Sequence, residues 1–135
     1  MTGMAIDAKI FDLVTFNEKG LVPAIVQCAD TGRVLMMAWM DRPGLEKTIA
    51  TGETWFYSRS RKESWHKGGT SGHIQKVVSI QIDCDGDTLL ILARQTGGAC
   101  HNGYFSCFYR QLDAAGQTWD ETEKPVFHPE SVYKK

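Results

Sequence analysis

The stretch LVPAIVQCADTGRVLMMAWM, residues 21–40, decides the fold, because it places two apolar runs on either side of a turn signal. The runs, residues 21–27 and 34–40, are rich in β-branched and large apolar side chains, which favour strands. The Asp-Thr-Gly sequence at residues 30–32 is typical of a tight turn. Pro23 lies near the start of the first run, where a missing backbone donor is tolerated. The stretch therefore predicts a β-hairpin.

A helix is predicted directly after the hairpin. Asp41 is a favourable N-cap. Pro43 falls in the first turn, where the backbone N–H that proline lacks would have no acceptor within the helix. Leu45 and Ile49 are four residues apart and therefore share one face. Gly52 marks the end of the helix, since glycine readily adopts the left-handed conformation that closes many helices.

Further strands are predicted where β-branched and aromatic residues alternate with polar ones. These segments are residues 54–57, 76–83, 88–95 and 106–112. Many strands with one principal helix indicate an α+β, β-rich fold with a mostly antiparallel or mixed sheet.

The length and charge of the chain restrict what it can be. We expect 135 residues to form one domain, with its core at about residues 21–112 and a C-terminal tail at residues 113–135. A net charge of -1 gives no general attraction to nucleic acid or to a membrane surface. No apolar run approaches the roughly 20 residues that span a bilayer, and the first 20 residues contain acidic side chains where a signal peptide is apolar. We therefore expect a cytoplasmic protein.

Two long polar stretches, residues 58–75 and 96–103, separate the predicted strands. Connections in a small domain are usually short, and long ordered loops tend to carry function. We therefore expect the functional residues to lie in these loops or beside them.

The run DCDGD at residues 83–87 contains three carboxylates. In an extended chain, alternate residues point to one side, so Asp83, Asp85 and Asp87 can converge, above all if Asp85 and Gly86 form a turn. Converging carboxylates repel one another unless a cation or protons compensate, and oxygen ligands suit Mg²⁺ or Ca²⁺. The alternative is a solvated hairpin turn, in which Asp and Gly are simply favoured.

The four cysteines of the chain allow more than one interpretation. Cys84, Cys100 and Cys107 lie in or beside the long loops, and three thiolates would leave a fourth zinc position open for water, as in catalytic zinc sites. Scattered buried thiols are the alternative, and in a reducing compartment disulfides are rare. Cys28 is best interpreted as an ordinary buried or half-buried thiol.

The sequence GGACH, residues 97–101, fits two mechanisms. Its glycines allow a ligand to approach the backbone, and Cys100 with His101 can provide either metal ligation or a nucleophile and a base. Catalytic Cys and His usually come from distant segments, which weakens the nucleophile interpretation.

The segment 58–73 is basic and glycine-rich, and it includes Trp65. Arginine forks, hydroxyl groups and glycine-freed amides suit phosphate oxygens, while the indole can stack on a base. The segment therefore favours nucleotide recognition. The alternatives are a solvated basic loop or weak RNA binding through the same charges.

Taken together, these motifs resemble those of the phosphoribosyl-AMP cyclohydrolase family. The resemblance runs from about residue 21 to 112 through LVPAIVQ, TGRVLMMAWM, SRSR, WHKGGTSGH, IDCDGD and GGACHNGYFSCFYR. It implies an intertwined homodimer in which Cys84 of one subunit and Cys100 and Cys107 of the other hold zinc. It also implies Mg²⁺ at Asp83, Asp85 and Asp87.

The resemblance further implies the reaction, which is the third step of histidine biosynthesis. Zinc-activated water would attack C6 of the adenine ring of 1-(5-phosphoribosyl)-AMP, and the N1–C6 bond would break to give a formamidine-linked imidazole carboxamide. Thiolate ligands weaken the Lewis acidity of zinc, so we expect a general base, with His101 as the candidate. The candidate substrate-binding residues are Arg59, Arg61, Trp65, His66, Lys67, Thr70, Ser71 and His73.

Two other functions compete with this one. A thiol hydrolase would use Cys100 as nucleophile, and stoichiometric zinc with loss of activity to a chelator would argue against it. A small RNA-binding module centred on residues 59–73 is disfavoured by the net charge, and steep salt-dependent RNA binding without ring opening would be needed to support it.

Overall fold

A computed structural model describes residues 7–129 of the chain. A 3-10 helix over Ala8–Leu13 precedes the first strand. The remaining elements, in chain order, are β1 (Leu21–Cys28), β2 (Val34–Asp41), α1 (Arg42–Thr51), β3 (Trp55–Ser58), β4 (Glu63–His66), β5 (Gln75–Ile82), β6 (Leu89–Gln95), β7 (Arg110–Leu112) and β8 (Trp119–Glu121).

The central sheet has four strands in the order β2-β1-β6-β5. β1 pairs with β2 in antiparallel fashion and with β6 in parallel fashion, whereas β5 and β6 form an antiparallel pair. Two separate hairpins, β3-β4 and β7-β8, complete the strands. The predicted α+β class with a mixed, mostly antiparallel sheet is confirmed.

The core lies on one face of this sheet, as strand periodicity requires. Val22, Ala24 and Val26 of β1 are fully buried, and Ile91 of the neighbouring β6 is buried beside them. Phe56 from β3 is also completely buried in this cluster, so the β3-β4 hairpin packs against the sheet.

The helix forms as predicted. The Asp41 side chain accepts a hydrogen bond from the Gly44 amide at 2.8 Å, which satisfies one of the free donors of the first turn. Gly52 closes the helix with φ at 75°, a conformation that strains other residues. Leu45 is 3% exposed and joins the core, so α1 is fixed along its inner face. None of the helices within residues 7–129 has the length and apolarity to cross a membrane.

Two predicted boundaries are wrong. Residues 106–112 do not form one strand, because only Arg110–Leu112 is extended and paired. The Ser106 hydroxyl donates to the Val34 carbonyl at 2.7 Å, and the Cys107 amide donates to the Leu35 carbonyl at 2.7 Å. These bonds attach residues 106–107 to the start of β2 and replace a regular ladder. The loop at residues 58–75 likewise contains a strand, β4, which was not predicted.

The described part of the predicted tail, residues 113–129, makes specific contacts with the rest of the chain. β8 pairs with β7, and the Arg33 guanidinium forms an ion pair with Glu123 at 3.0 Å. Farther along, the amides of Val126 and Phe127 both donate to the Gly103 carbonyl, at 2.7 Å and 3.2 Å. The described part of the tail, up to residue 129, therefore reaches the loop at residues 96–103, which we call the glycine-rich loop, as distinct from the basic loop at residues 58–73.

Candidate active site

The acidic run forms the turn between β5 and β6. Asp83 Oδ1 accepts hydrogen bonds from the amides of Asp87 at 3.0 Å and Thr88 at 3.3 Å, and Gly86 adopts a φ of 76°. A turn of this kind brings its side chains to one place. Carboxylate oxygens of Asp83, Asp85 and Asp87 lie within 4.8 Å of one another, and all three residues are exposed. The run is therefore a solvated hairpin turn, and the same turn also brings together oxygen atoms that could bind a cation.

The pKa values of Asp83 and Asp87 are shifted by the other groups of the turn. Hydrogen bonding with Asp85, then with Asp83, raises the pKa of Asp87. Partial desolvation acts to raise the pKa of Asp83 as well, but hydrogen bonds from Asp87, Asp85 and Thr88 outweigh it and lower that pKa. Asp87 therefore binds a proton more readily than Asp83 does, as expected when carboxylates are held close together and share a proton. A divalent cation would relieve the same repulsion.

The side chains of Cys100, in the glycine-rich loop, and Cys107, which follows that loop, lie beside each other. The Cys100 amide donates to the Tyr104 carbonyl at 3.1 Å, which folds the loop back on itself, and Cys100 is 4% exposed. Cys107 is exposed. Desolvation and the neighbouring Cys100 thiol raise the pKa of Cys107 to about 12, although the Lys67 ammonium opposes this. A thiol with a raised pKa, such as that of Cys107, is a poor nucleophile, but a divalent cation can displace its proton and bind the sulfur.

Cys84 lies elsewhere, on the exposed acidic turn. Within residues 7–129, the aspartate cluster is the one place where three or more Asp, Glu, His or Cys ligand atoms converge closely enough for an ion. A single chain therefore brings together two of the three predicted sulfur ligands and leaves the third apart.

Lys67 connects the basic loop to the glycine-rich loop. Its Nζ donates to the Ala99 carbonyl, and the residue is only 7% exposed. Burial lowers the pKa of Lys67, while the thiols of Cys107 and Cys100 act in the opposite direction. The Lys67 ammonium acts to lower the pKa of Cys107 against the larger effect of desolvation, so Lys67 contributes to the environment of this thiol as well as to the predicted substrate site.

An open cleft of about 540 Å³ lies where the two loops meet. It is lined by residues of the basic loop and by His101 from the glycine-rich loop. Predicted site residues on its wall are Arg61, Trp65, His66, Lys67, Thr70, Ser71 and His101. The structure therefore collects most of the predicted substrate residues and the predicted base around one volume.

Arg59 and His73 lie off this wall. The Arg59 guanidinium lies 5.2 Å from the centroid of the Trp39 ring. The His73 ring meets Phe127 edge-on, with centroids 4.4 Å apart, and contacts Gly97 so closely that a Cβ there would collide with it. In a single chain, His73 therefore packs between the tail and the glycine-rich loop.

Residues 36–109 match the sequence model of the family described as phosphoribosyl-AMP cyclohydrolase. The chain belongs to this family. The matched range includes every predicted metal ligand and the whole basic loop. The resemblance inferred from the motifs, and with it the prediction of a cyclohydrolase enzyme, is confirmed.

Named phosphoribosyl-AMP cyclohydrolases align over almost the full chain. The one from Pelotomaculum thermopropionicum is 59% identical over 124 residues, covering 92% of this chain and 95% of the relative. The one from Haloquadratum walsbyi is 52% identical over 134 residues, covering 99% and 96%. A histidine biosynthesis bifunctional protein from Halalkalibacterium halodurans is 57% identical over 101 residues, which is 75% of this chain and 48% of the relative.

Sequence reasoning missed Glu53, which the cyclohydrolase fold places beside His66. Glu53 Oε1 lies 2.7 Å from Nε2 of His66. The contact follows from the β3-β4 pairing, which sets Trp55 opposite His66 and brings the residue two positions earlier within reach. Recognising β4 in the basic loop would have set Trp55 opposite His66 and thereby placed His66 close to the residues that precede β3.

The tail contacts of this cyclohydrolase were missed as well. Phe127 packs over Gly98, where a Cβ would lie 2.9 Å from its ring. An aromatic residue among polar neighbours carries no signal of where it docks, so only the fold could show this contact.

Proposed function

We propose that the chain hydrolyses 1-(5-phosphoribosyl)-AMP, breaking the N1–C6 bond of the adenine ring to give the formamidine-linked imidazole carboxamide nucleotide. This is the third step of histidine biosynthesis, and we place it in the cytoplasm. The observation that carries the proposal is the cleft in which the basic loop meets the segment bearing Cys100 and His101. The names and high identities of the relatives support the same reaction.

Zinc is proposed to bind to Cys100 and Cys107 together with Cys84 of the partner subunit. The adjacent thiols and the buried ammonium of Lys67 support this arrangement, as does the separation of Cys84 within one chain. When bound, zinc supplies the Lewis acidity that makes water a nucleophile near neutral pH. The homodimer follows from this proposal, because one chain alone cannot complete the site.

Mg²⁺ is proposed to bind to Asp83, Asp85 and Asp87. Their oxygens lie within 4.8 Å of one another, and they are the hard, anionic ligands that Mg²⁺ prefers. The ion would neutralise a substrate phosphate that the aspartates would otherwise repel.

His101 is proposed as the general base. It is exposed on the cleft wall, where its ring can accept a proton from the attacking water. Its position next to Cys100 in the chain keeps this base near the proposed zinc ligands.

The substrate is proposed to lie along the basic loop. Arg61, Thr70 and Ser71 offer a guanidinium and two hydroxyl groups to phosphate oxygens, and Trp65 offers a ring face to the base. Lys67 and His66 line the same volume. Arg59 and His73 are proposed to contribute on the strength of the family motif.

The experiment is a ring-opening assay. Zinc-loaded wild-type protein is mixed with 1-(5-phosphoribosyl)-AMP, and the ultraviolet absorbance of the product is followed. We expect turnover that is lost when a strong chelator removes zinc. Failure of the zinc-loaded protein to open the ring would refute the proposal.

A second arm tests the base. We expect His101→Ala to lower kcat by about 10²-fold while zinc stays bound, since general base catalysis typically contributes that much. Asn102→Ala, at the exposed neighbouring position, is the matched control and should keep the wild-type rate. An undiminished rate in His101→Ala would remove the assignment.

A further inference from the structure

We propose that Glu53 and His66 form a dyad that donates a proton to N1 as the N1–C6 bond breaks. This role rests on the proposed ring-opening function and adds a second proton carrier to it. His66, at the end of β4, lies on the wall of the same cleft as His101, and Glu53, two residues before β3, contacts its ring from outside the residues that line the cleft.

The hydrogen bond between the two residues fixes one nitrogen of the ring. Nε2 of His66 lies 2.7 Å from Glu53 Oε1, and both side chains are about 30% exposed, at 28% and 29%. A carboxylate is an acceptor only, so Nε2 must carry the hydrogen. The proton that can be exchanged with substrate is therefore the one on Nδ1.

A stacking contact also holds the orientation of the His66 imidazole. The imidazole stacks on the Trp55 indole with centroids 4.7 Å apart and planes 13° apart. Trp55 and His66 are directly paired across the β3-β4 ladder, and Glu53 makes a bridge to Lys76 in β5. The imidazole is therefore held by stacking, by a short hydrogen bond and by paired backbone, as a preorganised catalytic group requires.

Nδ1 lies beside Gly69, which is also on the cleft wall. A Cβ at this glycine would lie 3.1 Å from Nδ1 and only 3.2 Å from the His66 carbonyl. The Gly69 amide donates to that carbonyl at 3.0 Å, which keeps the backbone close to the ring. The missing side chain leaves the edge of the imidazole that carries Nδ1 open to a ligand.

The ring-opening reaction needs an acid as well as a base. In the neutral imino form of the substrate, the water oxygen bonds to C6 and becomes the carboxamide oxygen, while one water proton ends on the exocyclic nitrogen and the other on N1. The electron pair of the breaking N1–C6 bond goes to N1, which takes the proton from Nδ1 of protonated His66. His66 then takes up the proton released when the carbonyl forms.

Glu53 makes this donation possible because its carboxylate balances the positive charge of the protonated ring. The other charged or titratable groups that surround the dyad are Lys47 across the Trp55 ring, Lys76 at the β5 bridge, and Arg61, Glu63, Lys67 and His101 along the cleft. Glu53 is the one carboxylate among them in direct contact with the imidazole.

The test uses full-length, zinc-loaded protein and steady-state kinetics of ring opening. Glu53→Gln keeps an amide oxygen near Nε2 but removes the charge, and we expect kcat to fall about tenfold with KM nearly unchanged. His66→Ala should lose about 10²-fold in kcat and recover part of it when imidazole is added to the assay, because a free acid can replace the missing one. Glu46→Gln on α1 is the control for loss of one carboxylate and should match wild type.

The outcomes separate this proposal from the one on which it rests. If wild-type protein does not open the ring, the proposed function fails. If wild type is active and Glu53→Gln retains its full kcat, or imidazole restores nothing to folded His66→Ala, the dyad is refuted. Glu53→Gln alters no packing volume, so its result stands even if His66→Ala does not fold.

Discussion

The rings of Tyr104 and Tyr109 stack face to face, with centroids 3.5 Å apart and planes within 2°. Both residues are buried, at 8% and 7% exposure, and they belong to the same small cluster as Cys100. The five-residue separation means that the chain between them, which contains Cys107, is closed into a loop by the stacked rings. The stacked pair therefore helps to hold Cys107 in place, together with the hydrogen bond from the Cys107 amide to the Leu35 carbonyl.

Replacing Tyr109 by Ala should destabilise the protein by about 3 kcal/mol, because truncation of a buried aromatic ring leaves a cavity. The bound zinc per chain should fall as well, since the Cys107 loop loses its closure. Urea unfolding of the metal-free protein and zinc analysis of the loaded protein measure the two effects. Tyr109→Phe keeps the stacked ring and should stay within about 1 kcal/mol of wild type. Equal stability of the Ala variant would contradict the proposed role of the stack.

Neutralising one aspartate of the acidic turn should abolish Mg²⁺ binding. Asp85→Asn removes a charged oxygen ligand from a cluster that has three, and calorimetric titration with MgCl₂ should show binding to wild type only. Asp113→Asn is the matched control, because Asp113 also caps a turn that contains a left-handed glycine but has no carboxylate cluster around it. Identical titrations of wild type and Asp85→Asn would show that the acidic run is a turn and nothing more.

The Phe127 ring should matter for catalysis although it lies outside the family match. Phe127→Ala removes the contacts with Gly98 and His73, and the loop that carries Cys100 loses part of its support. We expect kcat for ring opening to fall about tenfold, because small displacements of reacting groups slow catalysis strongly. Trp119→Ala, in the same tail but 68% exposed, serves as the control. Wild-type kinetics in Phe127→Ala would show that the tail does not support the loop.

The β7-β8 turn should weaken in acid. Hydrogen bonds from the Gln117 amide and the Thr118 hydroxyl lower the pKa of Asp113. A carboxyl whose pKa is lowered by folding stabilises the native state above its ordinary value of about 3.9, and this contribution is lost as the pH falls through the lower, folded value. The Gln117 amide resonance, followed by NMR, should titrate below pH 3.9. A midpoint at or above that value, or an unchanged titration in Asp113→Asn, would contradict this.

Local signals in the sequence were sufficient for most of the fold. Helix caps and apolar strand patterns depend only on residues a few positions apart in the chain. The structure has the helix between Asp41 and Gly52, and the β1-β2 pair, where they were predicted. The segment at residues 106–109 was misassigned because its bonds go to β2, some 70 residues earlier in the chain, and no local pattern reports such a contact.

For the candidate site too, local features could be predicted from the sequence and contacts between distant segments could not. Motif spacing identified the loops that line the cleft, but it did not show that Lys67 is buried against Ala99 or that Glu53 reaches His66. Both contacts depend on how two loops fold over each other. Charged residues in a polar loop look alike in sequence, whether they face solvent or another loop.

The parallel pairing of β1 with β6 has a consequence for how the protein reaches its native state. Ala24 lies opposite Leu89, 65 positions later, so the middle of the sheet cannot close until most of the chain has been synthesised. Until then, the β1-β2 hairpin has an unpaired inner edge with apolar side chains, which is a template for association with other chains. Non-local pairing of this kind slows folding. We therefore expect correct folding of the newly made chain to require that β6 pairs with β1 before another chain binds to the same edge.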